Sequence, residues 1–218
     1  MSETSFPSLN SKSDKVALME GTRSHTYSEV NERISLFAAG VLGEEEDLKE
    51  ERIAFFLPAS LDYVTAMHGV WRAGGIAVPL NVASAVSELD HYLTCANVTR
   101  MVAGVQYHDS LRDLCNSLEI ELLSVDDVLA TTAKKLPVIA PERRAMMLFT
   151  SGTTNKPKGV VSTHKTISAQ ITTLIEAWEW SDHDVIPLFL PLHHIHGCLL
   201  YTSPSPRDLS TSRMPSSA

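Results

Sequence analysis

Basic charge is scarce in this chain: 18 Lys and Arg stand against 26 Asp and Glu, for a net charge of −8 over 218 residues. No dense basic stripe offsets that balance, which speaks against a nucleic-acid surface. Cysteine is scarcer still. Cys95, Cys115 and Cys198 are far apart and form no CxxC pair, so neither a disulfide framework nor a paired-cysteine metal knuckle is written here. They read as reduced, buried thiols of an intracellular protein. No apolar run approaches a membrane span, and the longest, 185–192, is interrupted by Pro187 and Pro191. The opening MSETSFPSLNSKSDK has no hydrophobic region and no Arg, which suits neither a secretory signal nor a mitochondrial presequence. Cytoplasm is the expected compartment, with mitochondrion and peroxisome left open. What remains, 44% hydrophobic and 20% charged residues, is an ordinary globular composition long enough to bury a core.

Periodicity supplies the organisation. After a polar lead (1–13), apolar residues at Val30, Ile34, Phe37, Ala38 and Val41 predict a helix over Tyr27–Leu42, stopped by Gly43. A buried strand is expected at 52–57. Ser60 then caps a helix with Leu61, Val64, Met67, His68 and Trp71 on its apolar face, closed by Gly74 and Gly75. Further strands are expected at 76–80, 101–103 and 121–125, with helices at Val86–Ala96 and 110–118 between them. That alternation predicts an α/β fold with a parallel-rich sheet flanked by helices. A Pro- and Lys-containing linker (131–144) leads to an apolar strand at 145–149. A polar connection and a second strand at 159–161 follow, then a helix at 164–180 and a strand at 184–191.

The connection carries the chemistry. In LFTSGTTNKPKGVVSTH (148–164), the hydroxyls of Thr150, Ser151, Thr153 and Thr154 surround Gly152, with Lys156 and Lys158 close behind. Hydroxyls are neutral donors, glycine lets a ligand approach the main chain, and ammonium groups supply positive charge. Together they suit a polyphosphate. A plain turn rich in Gly, Thr, Asn and Pro is the competing reading, and the Walker A spacing is not met. Resemblance separates the two. Thr150-Ser151-Gly152-Thr153-Thr154-Asn155-Lys156-Pro157-Lys158-Gly159-Val160 resembles the TSGTTGxPKGV phosphate loop of the adenylate-forming (AMP-binding) enzymes: acyl-CoA synthetases, luciferases and the adenylation domains of peptide synthetases. Only Asn155 departs, where that family has Gly, and Asn tolerates a left-handed backbone.

A second run, LPLHHIHG (190–197), holds His193, His194 and His196 within four residues. Metal ligation and a structural histidine are both open readings, although no further ligand pattern for zinc accompanies the run. Beside the first motif it resembles the same family's next signature, where a ring stands near the carboxylate pocket and the nucleotide α-phosphate; His194 holds the matching position. WRAGGIAVPLN and EAWEW add similarity to the malonyl-CoA synthetase branch.

The resemblance implies the N-terminal part of the large domain of an adenylate-forming enzyme. It covers residues 14–200 as a partial AMP-binding domain. The implied substrates are a small carboxylate, ATP with Mg2+, and coenzyme A, with acyl-AMP as intermediate. Thr150, Ser151, Gly152, Thr153, Thr154 and Lys158 are expected on the phosphates and His194 on the carboxylate, with no metal ligand assigned. Malonate is the expected acid; a fatty or aromatic acid, or a nucleotide-binding remnant without catalysis, are the alternatives. Beyond Leu200 the Ser- and Pro-rich TSPSPRDLSTSRMPSSA lacks the pattern of a packed core and resembles translated adapter read-through. On that reading the chain is truncated, residues 201–218 are a disordered tail, and the fragment alone is inactive.

Overall fold

The Ser60 cap read from the sequence becomes a hydrogen bond in the structure, where it sets the start of the helix that follows. The computed structural model describes residues 13–150, 157–181, 184–188, 190–194 and 197. Two short strands, β1 (Val16–Glu20) and β2 (Arg23–Thr26), form an antiparallel hairpin. Gly21 makes its turn at φ +59°, a left-handed conformation that favours glycine. This hairpin was not expected. Its strands are largely exposed, and β1 (VALME) is almost wholly apolar while β2 (RSHT) is polar, so neither shows the alternation that marks a strand.

Thr26 caps α1 (Tyr27–Leu42) through a reciprocal box with Glu29, which satisfies two otherwise orphan amides. Next come β3 (Arg52–Phe56) and α2 (Leu61–Arg72), the latter capped by Ser60 as expected. They are followed by β4 (Ile76–Pro79), α3 (Val86–Ala96), β5 (Arg100–Ala103), α4 (His108–Ser117) and β6 (Glu121–Ser124). A one-turn α5 (Val125–Leu129) precedes the linker. Beyond it lie β7 (Arg144–Thr150), β8 (Lys158–Thr163) and α6 (His164–Trp178).

The main sheet has the order β6-β5-β3-β4-β7-β8, all parallel except β8, which runs back against β7. Helices α1, α2, α5 and α6 cover one face around Phe37, Phe55, Met67 and Ile171. The other face is covered by α3 and α4 around Leu89, Leu93, Met101 and Leu111. The expected parallel-rich α/β architecture is present.

Two expectations are corrected. Residues 184–188 form no strand: Pro187 and Pro191 lack a donor, and Val185 and Ile186 are 72% and 41% exposed, without a neighbouring ladder among the described residues. Helix α6 stops at Trp178 because Glu179 turns left-handed, at φ 53°. The thiols also divide, Cys115 being buried and Cys95 exposed, while Cys198 lies outside the described residues.

Three ion pairs fasten the acidic 44–51 segment beneath the sheet: Arg100 to Glu51, Arg143 to Asp47 and Arg144 to Glu50. Arg143 also donates to the carbonyl of Gly74, so the entry to β7 is tied to the turn between α2 and β4. Helix α1 approaches α5 too closely for a side chain at Gly40, where a Cβ would stand 1.8 Å from the carbonyl oxygen of Val128. Gly40→Ala is therefore expected to destabilise the fold by about 1–3 kcal/mol despite the better helix propensity of alanine. A urea midpoint equal to or above the parent's would contradict this packing.

Candidate functional site

The apolar run Ala145–Leu148 is buried because β7 packs between the two helical layers; at its carboxyl end Phe149 and Thr150 emerge toward solvent. Strand β7 is parallel to β4, so Thr150 ends at the carboxyl edge of the parallel strands, where open α/β sheets place their ligands. The return strand brings Lys158 opposite Thr150, with Gly159 opposite Phe149. Thr150 and Lys158 are both exposed, and Lys158 makes no ion pair with a described residue. A hydroxyl and an unpaired ammonium thus face each other across the end of the hairpin. Ser151, Gly152, Thr153 and Thr154 lie outside the described residues, as do Asn155 and Lys156.

The histidine run meets the same edge of the sheet. Helix α2 begins just past the end of β3, and the Tyr63 hydroxyl in its first turn donates to the Leu192 carbonyl at 2.8 Å. Leu192 itself is buried in the core. This fixes the backbone immediately before His193 and His194, whose rings lie 4.4 Å apart. His193 is half-buried, and burial, then the neighbouring His194, push its pKa below the usual histidine value. His194 is exposed. His196 lies outside the described residues. Among the described residues no three His, Cys, Asp or Glu side chains converge on one point.

Sequence reasoning passed over the residues that hold these segments. His91 of α3 sets its Nε2 2.9 Å from the Pro157 carbonyl, next to Lys158. Its neighbour Tyr92 packs on Phe149 with ring centroids 4.5 Å apart. Neither residue belongs to a motif, and a lone histidine on a helix gives no signal of its contact partner.

A third cluster lies deeper. The Trp71 indole donates to the Ala145 carbonyl at 2.7 Å, and the rings of His68 and His164 pack edge-on against it at 4.9 and 6.0 Å. Burial, with lesser repulsion from Arg72 and His164, lowers the pKa of His68 to about 3. Burial and then Arg143 lower that of His164 to about 4. Both are neutral core residues near pH 7.

The family model for AMP-binding enzymes matches residues 7–204. The mitochondrial malonate–CoA ligase ACSF3 of Mus musculus is 34% identical over 195 residues, which cover 84% of this chain and 33% of that protein. Among solved structures, apo MatB from Rhodopseudomonas palustris superposes with a TM-score of 0.82 at 22% identity, over 94% of this chain and 44% of the other. The ATP-bound form of the same protein gives 0.79 at 22% identity over the same shares. At that identity the structures establish the fold. The chain spans about a third of the length of the curated relatives it matches. Among the described residues no helix is long and apolar enough to cross a membrane.

Proposed function

The chain belongs to the AMP-binding enzyme family, and on that premise we propose that it is part of an ATP-dependent carboxylate–CoA ligase, with malonate as the acid. The observation that carries this reading is the β7–β8 hairpin. It sets Lys158, which makes no ion pair with a described residue, opposite Thr150 at the carboxyl edge of the parallel strands, on either side of Ser151-Gly152-Thr153-Thr154 in sequence. Such a hairpin fits a triphosphate: the exposed pair offers a hydroxyl donor and a cation, with no competing carboxylate among the described residues.

The chemistry proceeds in two steps. A carboxylate oxygen attacks the α-phosphate of ATP, the bond to the β-phosphate breaks, and acyl-AMP and pyrophosphate result. The thiol of coenzyme A then displaces AMP to give the thioester. Activation is needed because a free carboxylate has no adequate leaving group. Thr150, Ser151, Gly152, Thr153, Thr154 and Lys158 hold the β- and γ-phosphates. That orients the α-phosphate and offsets the charge that grows on the leaving pyrophosphate. The imidazole of His194 donates a hydrogen bond to the carboxylate or to the α-phosphate oxygen. Mg2+ accompanies the nucleotide and neutralises phosphate charge; no residue of this chain is assigned to it.

Malonate is supported by the name of the Mus musculus relative and by the EAWEW and LPLHHIHG runs. Its second carboxylate needs a cationic partner. No Arg lies between Thr150 and Leu200, so an arginine partner would lie outside this stretch. In a chain extended to the length of the curated relatives, malonate should exceed acetate and a medium-chain fatty acid in kcat/KM by at least about tenfold, the worth of one charge-assisted contact. A preference for acetate or the fatty acid would sink the assignment. The mitochondrion is the proposed compartment, from the relative's name, with the cytoplasm as the alternative; imaging of a tagged chain separates them.

A further inference from the structure

We propose that His91 is a positioning residue of the phosphate site, holding the entry of β8 so that the Lys158 ammonium stays aimed at the ligand. The inference rests on the phosphate-binding reading of the hairpin above. Pro157 precedes Lys158 and has no N–H, so the only polar backbone handle there is its carbonyl. His91 Nε2 takes that handle at 2.9 Å from α3, an element on the opposite side of the hairpin from α6. A carbonyl oxygen only accepts, so Nε2 carries the proton.

Packing reinforces the bond. The His91 ring lies 6.0 Å from Tyr92 and 6.4 Å from Phe149. The Phe149 ring in turn closes over Gly159, where a Cβ would meet Met147 Sδ at 2.9 Å and Phe149 Cε1 at 3.5 Å. Lys158 is thus fixed from the ladder side by its pairing with Thr150 and from the helix side by His91. Its long side chain remains exposed, so a fixed backbone origin is what limits its reach.

The test uses the 218-residue chain, with inorganic tripolyphosphate as the probe and calorimetry as the binding measurement. Amide exchange at Gly159 and Val160, read by NMR without ligand, is the second readout. His91→Phe keeps a ring but removes the donor, and should weaken binding about threefold or more and speed exchange by a similar factor. His91→Gln restores an N–H donor, and should stay within about twofold of the parent on both. If His91→Phe does not fold, His91→Asn, too short to reach the carbonyl, takes its place.

Lys158→Ala separates the two levels. If it loses binding while His91→Phe does not, or if His91→Gln behaves like His91→Phe, the positioning role is overturned alone. If the parent binds no tripolyphosphate, or Lys158→Ala binds it as the parent does, the reading of the site falls and the role falls with it.

Discussion

Lys158→Ala is expected to cut carboxylate-dependent pyrophosphate release from ATP by more than tenfold in a chain extended to the length of its relatives, with the fold unchanged. The direction follows from the isolation of the ammonium. Lys158 opens β8, is exposed, and has no ion pair with a described residue, so its removal unpairs nothing that holds the sheet together. Its backbone pairing with Thr150 does not depend on the side chain. What disappears is one charge-assisted contact to a phosphate, worth about 1.5–3 kcal/mol, and each 1.4 kcal/mol or so is tenfold in rate. If the contact strengthens as negative charge moves onto the leaving pyrophosphate, the loss appears in kcat and not only in the KM for ATP. Release within about twofold of the parent, with an unchanged circular dichroism spectrum, would remove Lys158 from the phosphate site.

The layers of the fold were legible because its helices obey their own sequence signals. Ser60 ahead of Leu61 reads as a cap and makes the hydrogen bond it advertises, while the Thr26–Glu29 box at α1 is found only in the structure. The β3 to β6 alternation reads as buried runs bounded by Gly, Pro and polar residues. What escaped has physical reasons. The β1–β2 hairpin lies half in solvent, where β1 is apolar on both faces and β2 is polar on both, so neither carries a period of two. The 184–191 run is apolar and β-branched like a strand, but a strand is defined by a neighbour, and local composition carries no information about one. The same limit applies at the site. Thr150 and Lys158 are found from the motif alone, whereas His91 on Pro157 and Tyr63 on Leu192 are contacts across 66 and 129 residues of sequence. Only the three-dimensional fold brings such partners together.

Acidification should unfold this protein from a higher pH than its carboxylates alone would dictate. His68 and His164 are 5% and 2% exposed, packed on either side of the Trp71 ring, and neutral in the folded state. The groups that act on them are Arg72 and His164 at His68, and Arg143 with an opposing Glu50 at His164. Their folded pKa values, about 3 and about 4, lie below the ordinary histidine value near 6.5. The unfolded chain therefore binds protons first. The stability they contribute is complete above about pH 6.5 and is lost progressively below it. Near pH 5 each histidine costs roughly 2 kcal/mol, about 4 together, against a typical total of about 5–15 kcal/mol. The carboxylates act lower. Arg143 hydrogen-bonded to Asp47, and Arg144 to Glu50, hold those groups below their usual range; at Glu51 burial opposes, but Arg100 and Thr99 outweigh it. Their contribution is kept until about pH 4 and falls only beneath that. The urea midpoint should thus drop steeply between about pH 7 and about pH 5, before the paired Asp47, Glu50 and Glu51 protonate. His68→Leu should flatten that drop by about half, whatever it costs at neutral pH, because one of the two proton-binding sites of the unfolded state is gone. A midpoint constant across that interval would mean that the two imidazoles are not buried as neutral rings, and that the Trp71 cluster is solvated in the folded protein.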